Sequence, residues 1–282
     1  MIRFTHKFCF AKFTETICTA AVRQNGDLGA MKLFLKIKYL GTNFCGYQIQ
    51  KDARTVQGEL NRAARELFSF DCDVTGCSRT DSGVHANMFC VTVAKKGENS
   101  LVTDIDVSKI PRALTAHLPP DISVFSAEWA ESDFHPRYDV KYKEYIYRIY
   151  NGAVRDPFEE GRSLFVPTPI PEETVERMDA AAKHFVGKHD FSAFMAQGSA
   201  VESTERTVMY ADVKKEGDII TFRVAADGFL YNMVRIMTGT LLSVAQNKIS
   251  EDYIPNIIES RCRERAGMTA AAHGLYLNKV VY

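Results

Sequence analysis

Apolar and charged residues alternate with a period of two at several places in this chain, which restricts it to folds built on a half-buried sheet. Residues 32–39 put Leu33, Leu35 and Ile37 on one side of a strand and lysines on the other. The same reasoning predicts further strands at residues 72–77, 89–94, 122–129, 140–150 and 275–282, and a hairpin of 208–214 with 219–226.

Segments with helical spacing separate these strands. Thr55 is a good helix cap before an apolar pattern that continues to Leu67, and further helices are predicted at residues 108–118, 172–186 and 231–245. Strands and helices are mixed and the hairpin is antiparallel, so we predict an α+β fold. Two strand–helix–strand halves, residues 31–133 and 134–282, are expected to flank a central, positively lined cleft.

Composition excludes several classes of protein. Hydrophobic residues make up 46% of the 282 and charged residues 25%, so the chain can build a core and is not wholly disordered. The charge-free stretch at residues 236–247 is too short for a membrane-spanning helix. Basic and acidic residues number 35 each, so a nucleic-acid partner would have to bind a local basic patch.

The first 30 residues differ from the rest, because they show no clean period and contain few acids. We predict a disordered extension or a start codon assigned too early, with a targeting peptide as the alternative. The seven cysteines of the chain are scattered, without the spacing of a zinc site. They predict reduced thiols in a reducing compartment and no metal.

The densest group of polar residues is RTDSGVH at residues 79–85, between two predicted strands. Asp81 could act as a nucleophile, a base or a metal ligand, and Arg79 could reach it or a phosphate. Gly83 could permit a positive φ or a close backbone approach. On these residues alone, a plain turn is the alternative.

With its next residue this segment, RTDSGVHA, closely resembles the catalytic signature of the TruA family of tRNA pseudouridine synthases. Five other segments resemble family motifs in the same order, so that the resemblance extends over residues 31–282: YLGTNFCGYQIQ at 39–50, TVQ at 55–57, FHPRY with KEYIY between 134 and 147, GKHDF at 187–191, and FLYNMVR at 229–235. The chain departs from the usual family residues at Ser82 (usually Ala), Tyr47 (usually Trp) and Lys143-Glu144 (often two arginines). Glu144 brings a negative charge to a strand expected near RNA.

The resemblance implies an isomerase that converts uridine to pseudouridine at positions 38 to 40 of the tRNA anticodon stem-loop. Asp81 would be the nucleophile, and Arg235 its ionic partner. Tyr145 would stack on the uracil and could help to remove its C5 proton, while Arg79 would position the flipped nucleotide. No bond to an external group forms, so no cofactor is needed. The family also implies a cytoplasmic homodimer with no membrane association.

Phosphate contacts are expected from nearby basic residues, namely Arg54, Arg137, Lys141, Lys143 and Arg148. The chemical route stays open between attack of Asp81 on C1′, attack on the uracil ring and abstraction of a ribose proton.

Three other functions remain as alternatives: a catalytically silent tRNA-binding protein or RNA chaperone on the same fold, a carboxylate glycoside or nucleoside hydrolase, and a structural protein.

Overall fold

The computed structural model of the protein describes residues 30–198 and 201–282. The prediction for the first 30 residues therefore falls, except for Ala30, outside the described residues. Within the described part the fold is α+β, as predicted. It contains one large sheet, whose strands are β1 Met31–Tyr39, β2 Cys72–Gly76, β3 His85–Lys95, β4 Ile122–Glu131, β5 Tyr142–Tyr150, β6 Leu164–Phe165, β7 Gly187–Asp190, β8 Glu205–Glu216, β9 Ile219–Ala226 and β10 Leu275–Val281.

The strand order is β4-β1-β3-β10-β5-β9-β8-β7, with β2 paired to β3 and β6 to β5. Neighbouring strands are antiparallel, except that β10 runs parallel to β3 and β6 runs parallel to β5. Strand β10 therefore lies in the middle of the sheet, where Leu277 pairs with Ala86 of β3 and with Tyr145 of β5. The division into halves at residue 133 stays a prediction, and the sheet crosses it without interruption.

Five α-helices pack beside the sheet in the described part: α1 Val56–Phe68, α2 Ile110–His117, α3 Glu172–Lys183, α4 Met233–Ala245 and α5 Ile254–Ser260. Helix α1 begins where predicted, because the Thr55 hydroxyl accepts a hydrogen bond from the Gly58 N–H at 3.3 Å. It ends at Phe68, and the next residue, Ser69, adopts a left-handed conformation. Of the helices described, none is long and apolar enough to span a membrane.

Helix α4 is buried over most of its surface and packs closely on the segment that precedes β10. A Cβ on Gly239 would lie 1.7 Å from the carbonyl oxygen of Met268, so the helix and this segment touch backbone to backbone. The Thr240 hydroxyl accepts a hydrogen bond from the Gly267 N–H at 2.9 Å. Residues 266–274 therefore connect α4 with the centre of the sheet, and we call them the connecting segment.

Candidate active site

Asp81 lies in the loop between β2 and β3, and the surrounding backbone fixes the shape of this loop. The Thr80 carbonyl accepts a hydrogen bond from the Tyr47 N–H at 3.1 Å, and the Thr80 hydroxyl lies 2.7 Å from the Tyr39 hydroxyl. Gly83 has a φ of +79°, which glycine adopts without strain. The loop is therefore held by contacts on both sides of Asp81 rather than being a free turn.

His85 holds the end of the same loop. Its Nδ1 accepts a hydrogen bond from the Gly41 N–H at 2.9 Å, and its Nε2 donates to the His273 carbonyl at 2.9 Å. The ring is therefore neutral, with its proton on Nε2, and burial lowers the pKa of His85. It links the Asp81 loop to the connecting segment and takes no part in the cavity described next.

A cavity of about 710 Å³ opens beside Asp81. One part of its wall is apolar: the ring of Tyr145 meets that of Phe229 edge-on at 4.9 Å between centroids, beside Val84, Leu230 and Leu275. The charged side chains of the described lining are basic, apart from Asp81: Arg79, Arg137 and Lys143. The site therefore combines an apolar, aromatic wall with positive charge around one carboxylate.

Asp81 lines this cavity and pairs with Arg235, which lies outside the lining. Their closest atoms, Asp81 Oδ2 and Arg235 Nη1, are 3.6 Å apart, and both side chains are partly exposed. Burial raises the pKa of Asp81, while Arg235 opposes this shift without cancelling it. The family resemblance implied that Asp81 and Arg235 form a pair. That burial affects the pKa of Asp81 more than this ion pair does was not predicted.

Tyr145 lies in the wall of the cavity with 7% of its surface exposed, and its hydroxyl lies 3.4 Å from the Ser78 hydroxyl. Burial raises the pKa of Tyr145, so its hydroxyl remains protonated at neutral pH. This environment favours a stacking ring with a hydrogen-bonding hydroxyl over a ready base.

The basic residues predicted to contact RNA are distributed differently. Arg137 and Lys143 line the cavity with Arg79, and burial lowers the pKa of Lys143. Lys141 is exposed and lies outside the cavity lining. Arg54 also lies outside it and forms ion pairs with Asp121 at 2.9 Å and Glu59 at 3.3 Å.

Glu144 points away from the cavity, because neighbouring residues of a strand face opposite sides of the sheet. It is buried and accepts hydrogen bonds from the Tyr210 hydroxyl at 2.6 Å and the Asn278 amide at 2.5 Å. Its negative charge is thus satisfied within the protein.

Asn232 is a cavity residue that the sequence reasoning missed. Its side-chain carbonyl accepts a hydrogen bond from Arg235 Nη1 at 2.7 Å. Asn232 lies before α4 in a left-handed conformation, so helical spacing in the sequence does not indicate this pair. Within the described ranges, no group of three His, Cys, Asp or Glu side chains is arranged to hold a metal ion.

Comparison with known proteins identifies relatives of one family. The model of the tRNA pseudouridine synthase family matches residues 36–139 and 181–282. The tRNA pseudouridine synthase A of Acetivibrio thermocellus is 44% identical over 88% of this chain and 98% of its own. That of Thermoanaerobacter sp. strain X514 is 42% identical over 89% and 99%. The enzyme of Staphylococcus aureus strain MRSA252 is 35% identical over 89% and 91%.

A solved Cbf5–Nop10–Gar1 complex contains a chain that aligns with 87% of this one at 13% identity and a TM-score of 0.33, which is too distant to bear on the site. The family match covers the Asp81 loop, and its second part covers Arg235 and the connecting segment. The chain therefore belongs to the tRNA pseudouridine synthase family, whose members isomerise uridine to pseudouridine in tRNA.

Proposed function

We propose that this isomerase of tRNA uridine acts at positions 38 to 40 of the anticodon stem-loop, with Asp81 as its nucleophile. The observation that carries the proposal is the Asp81 carboxylate beside Arg235, at the edge of a cavity with an aromatic wall. Carboxylates form covalent intermediates in other glycosyl transfers, so the group is suited to this chemistry.

The reaction breaks the bond between N1 of uracil and C1′ of ribose, and then forms a bond between C5 and C1′. In the first nucleophilic route, Asp81 Oδ attacks C1′ and displaces N1, and it is itself displaced when C5 bonds to C1′. In the second, Asp81 Oδ adds to the uracil ring, and its bond to the ring breaks after the C5–C1′ bond has formed, when C5 loses its proton. C5 then loses its proton and N1 gains one, so the product is an isomer of the substrate and nothing is oxidised or reduced.

A uridine within a stem or loop must leave its stack to reach Asp81, which costs a few kcal/mol. Tyr145 and Phe229 offer apolar surface that compensates for the lost stacking, because aromatic side chains stack favourably on bases. Arg137 and Lys143 would then bind phosphates that flank the flipped nucleotide, while the exposed Arg79 would position it. Lys141 and Arg54 remain candidates for more distant phosphate contacts.

The experiment that tests this proposal uses tRNA transcripts that carry a single uridine at position 38, 39 or 40. Each transcript is incubated with the wild-type protein, with Asp81→Asn and with Asp133→Asn. Asp133 is exposed and lies outside the cavity lining, so its variant is a matched control. Pseudouridine is mapped by a carbodiimide-dependent stop of reverse transcriptase.

We expect stops with the wild type and Asp133→Asn, and none with Asp81→Asn. Activity in Asp81→Asn would overturn the role of Asp81. Stops elsewhere in the tRNA would overturn the proposed positions. A wild type that binds these transcripts without modifying them would favour the silent RNA-binding alternative, and release of free uracil would favour a hydrolase.

We also propose that the protein is a cytoplasmic homodimer whose two subunits share one tRNA, as the family resemblance implies. Light scattering after size-exclusion chromatography would then give twice the mass of one chain. A mass equal to one chain, at the concentration used for the activity assay, would contradict the dimer.

A further inference from the structure

The guanidinium group of Arg235 is held by two acceptors besides Asp81. Its Nε donates to the Ala270 carbonyl at 2.7 Å, and its Nη1 donates to the Asn232 side-chain carbonyl at 2.7 Å. The Asp81 carboxylate is farther away, at 3.6 Å from the same Nη1. Both shorter contacts come from neutral oxygens, so the direction of the guanidinium is set mainly by groups other than Asp81.

Asn232 has an uncommon backbone conformation for a residue with a side chain. It precedes α4 with φ at +60° and ψ at +11°, in the left-handed region. At such a position an asparagine side chain often caps the helix by accepting a backbone N–H, but the Asn232 side chain makes no cap hydrogen bond. The side-chain oxygen is instead bound to Arg235. A left-handed residue beside a reactive group suggests a functional reason for its conformation.

We propose that Asn232 is a positioning residue, which holds the Arg235 guanidinium beside Asp81 without allowing it to close into a tight two-bonded ion pair. This proposal rests on the proposed role of Asp81. A two-bonded pair would engage both carboxylate oxygens, as arginine and carboxylate groups often do. The closest atoms of the two side chains are 3.6 Å apart, too far for a two-bonded pair, so the Asp81 carboxylate keeps an oxygen available for the substrate.

The position of Arg235 affects the pKa of Asp81, so a change in this position can be measured as a change in pH dependence. Burial raises the pKa of Asp81, and Arg235 is the cation that opposes this shift. The other titratable side chains in the described cavity lining are Arg79 of the same loop, Arg137 before β5, Lys143 and Tyr145 of β5, and Tyr231 before α4. None of them belongs to α4, so a movement of Arg235 changes the charge near Asp81 while these groups stay in place.

The test compares Asn232→Gly with Asn232→Asp. Glycine tolerates the left-handed conformation and removes only the acceptor, whereas aspartate keeps the acceptor and adds a charge. Ser69→Gly is the matched control, because Ser69 is also left-handed (φ +62°) but ends α1 outside the cavity lining. Single-turnover rates on the anticodon-arm transcripts are measured against pH, together with tRNA affinity and thermal unfolding.

We expect Asn232→Gly to lower the plateau rate about tenfold or more, since a hydrogen bond to a charged group is lost. Its tRNA affinity and melting temperature should stay close to those of the wild type. The pH below which the rate falls should be higher than in the wild type. The reason is that Arg235 no longer counteracts, as strongly, the rise in the pKa of Asp81 that burial causes. Asn232→Asp should keep the plateau rate within about threefold, about 0.6 kcal/mol. The pH below which its rate falls should also be higher, but because the added carboxylate disfavours the charged form of Asp81.

If Asn232→Gly has the same plateau rate and the same pH profile as the wild type, the positioning role is overturned. A plateau loss in Asn232→Asp as large as in Asn232→Gly would also overturn it, because the acceptor would then be irrelevant. If the wild type itself forms no pseudouridine, the proposed function is wrong. The wild-type reaction therefore distinguishes a failure of the proposed function from a failure of the positioning role alone.

Discussion

The carboxylate of Asp81 lies in a partly buried position, and burial disfavours its negative charge. The neighbouring Arg235 compensates in part, but burial has the larger effect, so the pKa of Asp81 is raised. The folded state then holds the Asp81 proton more tightly than the unfolded state does. A group of this kind stabilises the fold at low pH, and this contribution is lost as pH rises through the folded pKa. Reactivity at this residue therefore costs stability.

This balance predicts that Asp81→Asn, which we expect to be inactive, unfolds at a higher temperature than the wild type at pH 7. The amide has a similar shape and no charge to desolvate. The difference should narrow as pH is lowered towards the pKa of Asp81, because the wild type then becomes neutral as well. Differential scanning calorimetry over this pH range measures the effect.

Asp133→Asn serves as the exposed control and should melt with the wild type. A lower melting temperature for Asp81→Asn at pH 7 would show that the attraction between Asp81 and Arg235 outweighs the burial of the carboxylate.

Among the elements, α4 is the one whose position determines the site most directly. It carries Arg235, and its Gly239 touches the backbone of the connecting segment that supplies the Ala270 carbonyl. The same segment accepts the hydrogen bond from His85 at the end of the Asp81 loop. Close packing at Gly239 therefore sets the distance between the two partners of the ion pair.

We predict that Gly239→Ala lowers the free energy of unfolding by about 1–3 kcal/mol, because its Cβ would overlap Met268 and the backbone would have to separate. The isomerisation rate should fall as well, since Arg235 moves with the helix. Urea unfolding and a single-turnover assay measure the two effects.

The matched control is Gly58→Ala in α1, where the new Cβ would meet the Thr55 hydroxyl at 3.1 Å and no backbone. It should be neutral or stabilising, because alanine favours a helix over glycine. Equal stability of both variants would contradict the role given to the close approach at Gly239.

Strands and helices with a clear hydrophobic period were predicted well from the sequence. Elements without such a period were predicted poorly. The hairpin of β8 and β9, the cap of α1 and the strand that became β5 lie where expected, within a few residues. β7, β6 and α5 were not predicted, because they span four, two and seven residues and owe their structure to neighbours. Local pattern therefore identified the long elements, and tertiary contacts decided the short ones.

The site followed the same division. Motif resemblance pointed to Asp81, Arg235 and Tyr145; Asp81 and Tyr145 line the cavity, and Arg235 pairs with Asp81 from outside the lining. Asn232 and the Ala270 carbonyl were not found, because a backbone acceptor has no sequence signature and Asn232 acts through a conformation that only the fold reveals. Arg54, Arg137, Lys141 and Lys143 looked alike in the sequence and differ in their surroundings.

At the scale of the whole molecule, β10 joins the strands on both sides of residue 133. Leu277 at its centre is fully buried. We predict that Leu277→Ala lowers the free energy of unfolding by about 2–5 kcal/mol, as for other large-to-small changes in a core. The chain has one tryptophan, Trp129 in β4, whose fluorescence reports on the opposite edge of the sheet from β7.

In urea, the fluorescence of Trp129 and the far-ultraviolet circular dichroism of Leu277→Ala should lose their folded signals together, at one lowered midpoint. Lys279→Ala, at an exposed position of the same strand, should leave the midpoint near that of the wild type. A fluorescence transition that stays at the wild-type midpoint would indicate that the two halves unfold independently.

The central position of β10 also has a consequence for how this protein is made. The ribosome synthesises β10 after all the other described strands, although it lies between β3 and β5. Until β10 leaves the exit tunnel, its place in the sheet is empty, and the edges of β3 and β5 that face this place are unpaired. His85 also lacks its acceptor on the connecting segment until then, so the Asp81 loop reaches its final shape only after residues 266–274 have been synthesised.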